Sequence, residues 1–371
     1  MKKFFYRTMP APVYISIIVL FAALITGCKK YDAVPVNTTT AQSTDAISLD
    51  GFTQVNVVAD KAVFVAPRID HKLQNAWGMS ADDEGEIWVS ANETGLSFVY
   101  NPSGRHLLSP VSIPSHDANV PGNPTGNIYN STSDFIIPGT NTAAEFVFAE
   151  EGGTVSAWND PTGTTAVVVA DRTAWDAVYK GIAIANDGGS NFIYVTNFSQ
   201  GKIDVFDKDF NYVTGKPFTD PNLPQGYAPF NIRNIHDMLF VTYALQKADH
   251  EDDSSGVGFG FVDIYRPNGT LVKRFASGGT LNSPWGIAEA KPGMCGNSNA
   301  ILIGNFGDGR INAYDLTGNF MGQLTSGGSP VAVEGLWAID TDIPGITGKR
   351  LYFTAGPDDE ADGIFGFLQK E

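Results

Sequence analysis

Apolar residues in this chain come in short runs of strand length, broken by Gly, Pro, Asn and Asp. Such runs, bounded by turn-formers, are the pattern of hairpin-connected strands. Residues 282–315 show it most clearly. Asn282-Ser283-Pro284-Trp285-Gly286-Ile287-Ala288 opens the unit, and Ile301-Leu302-Ile303-Gly304-Asn305-Phe306 follows. After Gly307-Asp308-Gly309, a second alternating run closes it, Arg310-Ile311-Asn312-Ala313-Tyr314-Asp315. The opening phrase returns at Asn75-Ala76-Trp77-Gly78, Asn123-Pro124-Thr125-Gly126 and Val178-Tyr179-Lys180-Gly181. It returns again at Ala228-Pro229-Phe230-Asn231 and Gly335-Leu336-Trp337-Ala338. The closing phrase recurs as Thr196-Asn197-Phe198 with Gly201-Lys202-Ile203-Asp204-Val205-Phe206-Asp207. An all-β unit repeating about every 50 residues is a propeller blade. Six openings predict an all-β, six-bladed β-propeller of four-stranded antiparallel blades.

The blades fall at residues 68–115, 116–170, 171–222, 223–278, 279–328 and 329–371. In the fifth, the four strands (A to D, innermost outward) are expected at 285–289, 300–305, 310–315 and 320–324. Spacing for long amphipathic helices is nearly absent. A β-like stretch at 52–67, with Val55, Val57, Val63 and Val65 among polar residues, is left without a blade of its own. It is expected to complete the last blade and close the ring. In an antiparallel meander the D-to-A and B-to-C connections share one face. The opening phrases and the Asn-Phe-Gly-Asp-Gly turn therefore converge on one mouth of the axial channel.

Composition then sets compartment and partners. Lys2, Lys3 and Arg7 precede an apolar run at 13–24, which is short for a membrane span and reads as a signal peptide over residues 1–27. Ile25-Thr26-Gly27-Cys28 resembles the bacterial lipobox, which implies cleavage before Cys28 and lipid on its thiol. Residues 28–50, rich in Thr, Ser and Ala, read as a flexible tether, and 51–371 as the propeller. With Cys28 acylated, the only other cysteine, Cys295, is a lone thiol and no disulfide forms. The expected setting is the envelope of a bacterium, with the membrane as partner through the anchor. The formal net charge is -16, and removal of the leader makes the domain more acidic still. Such a field repels nucleic acid and favours cationic or neutral partners.

On the mouth the topology gathers Asn75, Asn123, Lys180, Asn231, Asn282 and Glu334 from the blade openings. The B-to-C turns add Glu93, Glu150, Glu151, Asn197, Asn305, Asp308, Asp358, Asp359 and Glu360. A ring of amides and carboxylates can hold calcium through oxygen or hydrogen-bond a small polar ligand. Asn and Asp at repeated positions equally cap turns. Trp77, Trp285 and Trp337 read as packing between blades. Asp207-Lys208-Asp209-Phe210-Asn211 begins like a calcium loop, but Tyr212 stands where glycine is required, so it is a C-to-D turn. Gly256-Val257-Gly258-Phe259-Gly260 opens a strand rather than a nucleotide-binding helix. No nucleophile elbow, paired-His zinc motif or phosphate loop occurs. Blade four inserts residues 245–256, with Asp249-His250-Glu251-Asp252-Asp253, between its B and C strands on the mouth face. That segment is either a solvated acidic loop or a wall of the mouth.

The phrases Asn282-Ser283-Pro284-Trp285-Gly286, Gly304-Asn305-Phe306-Gly307-Asp308-Gly309-Arg310-Ile311, Gly226-Tyr227-Ala228-Pro229-Phe230-Asn231 and Leu351-Tyr352-Phe353-Thr354-Ala355-Gly356-Pro357 resemble a family of secreted bacterial propellers without an assigned activity. The resemblance covers about residues 52–371 and is more distant to NHL repeats and six-bladed lactonase-like propellers. The lactonase likeness implies calcium at the channel, held here by Glu334 with Asn123 or Asn231, although no lactonase motif surrounds them. Two functions follow as expectations: a binding or scaffold module for a small polar ligand or a protein, and a calcium-dependent lactonase or esterase. They differ in what the mouth must hold. A hydrolase needs a cation-bound water and a base, whereas a binding module needs a shaped rim.

Overall fold

The strand-length apolar runs of the blades become strands. A computed structural model describes residues 47–371, apart from 118, 347 and 348. The leader and lipidation site at Cys28 lie outside these residues. Five four-stranded antiparallel sheets and a sixth of five strands form six blades. Their innermost strands are Ala76–Ala81, Pro124–Tyr129, Tyr179–Asp187, Tyr227–Ile235, Pro284–Ala290 and Leu336–Asp340. In blade five the remaining strands are Ala300–Asn305, Ile311–Tyr314 and Phe320–Gln323, within a residue or two of expectation. Four single-turn 3₁₀ helices are the only helices among the described residues. None of them is long enough to cross a membrane.

The recurring opening phrase has a packing cause. Every A–B pair carries a β-bulge at its start, from Ala76/Met79 in blade one to Leu336/Ile339 in blade six. There the A strands converge on the axis and neighbouring backbones nearly touch. A Cβ on Gly78 would lie 2.2 Å from the Thr125 carbonyl oxygen, and one on Gly181 would lie 2.6 Å from the Asn231 Cα. Only glycine permits that approach. Hydroxyls on the B strands then stitch the blades together. Thr196 donates to the Phe230 carbonyl at 3.1 Å, and Thr354 donates to that of Trp77.

The N-terminal strand closes the ring as expected. Phe52–Ala59 pairs antiparallel with Ile364–Lys370, the last strand of blade six. Phe52 is fully buried against that blade's apolar face, among residues such as Phe353 and Leu368. The alternation beyond residue 60 is not strand. Val63 and Val65 are 74% and 86% exposed around a 3₁₀ turn, because the sheet face that would bury them has ended. Arg68–Ile69 then returns parallel to the outer edge of the closing strand. A small two-stranded hairpin at Thr325–Ser326 and Ser329–Pro330, absent from the sequence reading, follows blade five. Cys295 is a free thiol, buried, and burial pushes it up to about 12. It is therefore an inert core residue rather than a reactive one.

Candidate binding cavity at the channel mouth

The mouth face encloses a cavity of about 660 Å³, within the range of small-molecule sites. Its floor is aromatic. Trp337 lies between Trp77 and Phe306, with ring centroids 3.7 and 3.9 Å away and planes inclined by 14° to each. Phe230 and Trp285 meet Trp337 at an angle, 6.0 and 5.8 Å off. Trp285 also borders a second chamber of about 150 Å³, which Asn231 and Asn127 line as well. The ring cluster thus divides the axial channel into a wide mouth and a small inner chamber. Trp77, Trp285 and Trp337 are buried packing residues, as expected, and two of them also floor the cavity.

Acidic groups line the sides. Glu360 stands in a turn with three successive left-handed residues, Asp358, Asp359 and Glu360, at φ 58°, 50° and 69°. Such a run costs roughly 1–2 kcal/mol per residue. It is held by Gly356 and by side chains. The Asn75 Nδ2 donates to the Glu360 carboxylate at 2.7 Å, while Trp337 Nε1 donates to the Asn75 Oδ1 at 2.8 Å. The Gly356 carbonyl accepts from the Glu360 N–H at 3.2 Å. Burial, with Glu151 and Asp252 nearby, pushes Glu360 up to about 7, against the opposing Asn75 bond and Lys180 charge. Asp253 is also raised, chiefly by burial, although Ser283, Lys180 and Ser255 work the other way.

Lys180 is the one fully buried cation bordering the cavity among the described residues. Its ammonium sits 2.5 Å from Glu151, 3.9 Å from Asp252 and 5.0 Å from the Trp77 ring centroid. Burial alone would lower it, but Glu151 and the other carboxylates outweigh that and hold it raised and charged. A supporting chain stands behind the pair. Asn123 Nδ2 donates to the Asn92 carbonyl at 3.3 Å, and Asn92 Nδ2 donates to Glu151 at 3.0 Å.

The inserted segment of blade four is a wall of this cavity. It folds back as a hairpin, with the Ser254 N–H donating to the Leu245 carbonyl at 2.7 Å and that of Lys247 to Asp252 at 2.8 Å. Asn282 pins its far end by accepting from the Gly256 N–H at 2.7 Å. Lys247, Asp252, Asp253 and Ser255 thereby face the mouth.

Of the residues placed at the mouth from sequence, Lys180, Glu334, Asp359 and Glu360 line the cavity. Asn75 acts one step back, through Glu360. Asn123 supports the Glu151–Lys180 pair and Asn282 the hairpin wall. Asn305 and Asp308 bond each other at 3.0 Å and pin their own turn. Asn231 stands on the inner chamber instead. It takes the place held by glycine in blades one, two, three and five and by Ala338 in blade six, and its Nδ2 donates to the Trp285 carbonyl at 2.7 Å while its Oδ1 accepts from the Ile232 N–H. Consequently Glu334, Asn123 and Asn231 do not converge as a calcium set. Among the described residues no three His, Cys, Asp or Glu side chains group as metal ligands. Glu360 was placed at the mouth and Asp253 in the insertion on the same face, but the burial of neither was visible in the sequence. What aims Glu360 is backbone that sequence does not reveal, since Glu has no particular tendency toward left-handed φ.

The chain is 34% identical over 330 residues to the uncharacterized protein R648 of Acanthamoeba polyphaga mimivirus, covering 86% of this chain and 80% of that protein. It is 33% identical over 332 residues to L690 of the same virus, covering 86% of each. The chain belongs to the family of these proteins. No established family profile matches it. Among solved structures it resembles virginiamycin B lyase from Staphylococcus aureus, with a TM-score of 0.51 at 13% identity over 86% of this chain and 99% of that one. A putative gluconolactonase gives 0.53 at 11%, covering 88% and 94%. The calcium-binding protein regucalcin from Agrobacterium tumefaciens gives 0.51 at 13%, covering 87% and 95%. At such identities the likeness is one of fold, and it supports the six-bladed propeller architecture.

Proposed function

We propose that this member of the R648 and L690 family is a binding propeller whose mouth cavity takes a small polar ligand. One observation carries the reading: the cavity of about 660 Å³ joins a floor of stacked rings to walls of converging charged side chains. Apolar floors with a few placed polar groups are the usual make-up of ligand sites. The hydrolase alternative lacks support in the same place, because Glu334 lines the mouth, Asn231 the inner chamber, and Asn123 is bonded to the Asn92 carbonyl. The test uses the tryptophans themselves. Polar metabolites of different charge are titrated while tryptophan indole resonances are followed. The ligand should shift Trp77 and Trp337, and replacing residues 247–253 with Asn-Gly should abolish the shift. Binding that ignores both changes would place the site elsewhere and sink the proposal.

We further propose that the domain works from a lipid anchor on Cys28 in a bacterial envelope, on the strength of Ile25-Thr26-Gly27-Cys28. Cys28→Ser is expected to abolish acylation and move the protein from membrane to soluble fractions. Unchanged membrane fractionation of that variant would refute the anchor.

A further inference from the structure

Charge accounting within the mouth narrows the ligand class. The Lys180 ammonium is matched by Glu151 at 2.5 Å, and that of Lys247 faces Asp252 at 3.4 Å. Asp253, Glu334, Asp359 and Glu360 then remain without a cation of the protein's own among the described ion pairs. Two of the four stand inside, Asp253 with 8% exposure and Glu360 half-buried, where a low dielectric strengthens their pull. The floor beneath them is also suited to a cation. Ring faces attract ammonium groups, and Lys180 already lies over Trp77. An anionic ligand would meet this set of carboxylates with only two lysines, already matched by Glu151 and Asp252. The field of the whole acidic chain points the same way, drawing cations toward the surface.

We infer that the mouth cavity recognises an organic amine: its ammonium sits among Asp253, Glu334, Asp359 and Glu360, above the ring floor. This rests on the mouth being the binding site. Glu360, held protonated up to about neutral pH by burial and by its carboxylate neighbours, then couples binding to pH. An amine favours the ionised acid, so affinity rises as pH passes upward through 7, while an alkyl ammonium stays charged.

The experiment titrates the leader-free chain with putrescine, and with 1,4-butanediol and glutarate as neutral and anionic probes of similar length. Tryptophan indole resonances and calorimetry are the readouts. Putrescine is expected to bind and to shift Trp77 and Trp337. Raising salt from 50 to 300 mM should weaken it several-fold, as screening of charge requires. Glu360→Gln should weaken it about tenfold, the size of losing one close charge partner, and flatten its pH dependence. Because an interior substitution can disturb folding, Glu334→Gln on the exposed rim serves as the second variant, with a smaller loss in the same direction. Glutarate or butanediol shifting the two tryptophans while putrescine does not would overturn the amine assignment and leave the cavity reading standing. Probes of all three charges leaving both tryptophans unmoved would count against the cavity reading as well.

Discussion

At the scale of single residues, the mouth is assembled from side chains that would each be costly elsewhere. Glu360 is the clearest case. Its ordinary value near 4.5 is pushed to about 7 by burial, so between those values the folded chain keeps a proton that the unfolded chain releases. Stability therefore falls as pH rises through this window, and the full cost is present above 7. Glu360→Gln keeps an acceptor for Asn75 but removes the charge. It should stabilise by about 1–3 kcal/mol at pH 8 and by almost nothing at pH 4. Melting temperatures of the two proteins across pH 4–8 check this, and parallel curves would contradict it. Trp337 illustrates the opposite role. It is sandwiched by two rings and anchors Asn75 through its indole N–H. Trp337→Ala should cost roughly 3–5 kcal/mol, readable as a drop in denaturant midpoint.

At the scale of elements, two segments decide whether the ring closes and whether the mouth has a wall. The strand Phe52–Ala59 covers the edge of Ile364–Lys370, which would otherwise present unpaired backbone. A chain beginning at Asp70 should lose soluble monomer, as seen by size-exclusion chromatography beside a chain beginning at Ile47. If the shorter chain stayed monomeric and melted with the longer one, closure by this strand would be wrong. The hairpin at 245–256 plays no part in closing the ring. Replacing residues 247–253 by an Asn-Gly turn, a pair that suits a tight hairpin, should leave the melting temperature within a few degrees and remove ligand binding. The sequence marked both segments as departures from the repeat. It did not show that Asn282 holds the hairpin in place, because that bond joins backbone of one blade to a side chain opening the next.

For the whole molecule, the calcium question separates the two functional readings. Donors spread over the mouth and the inner chamber predict weak calcium binding at most. A millimolar site adds only about 1.4 kcal/mol at tenfold excess, so the melting temperature should move little in micromolar calcium. A large shift lost in Glu334→Gln would instead restore the lactonase-like reading. The sequence by itself determined the blade count, the strand order, the closing strand and the face on which the informative loops meet. Those follow from apolar runs of fixed length and from glycines required where neighbouring backbones nearly touch at the axis. Residues repeated at that face were legible as a set, but not which of them line a cavity. Asn75 and Asn123 stand at the same place in their phrases, three residues before the glycine, yet one reaches Glu360 on the cavity and the other the Asn92 carbonyl. Only the tertiary structure decided that. The direction of each side chain depends on local bulges, left-handed turns and the ring cluster that divides the channel. The ring cluster and the bond that holds Glu360 join blades one and six, whose residues lie far apart in the chain.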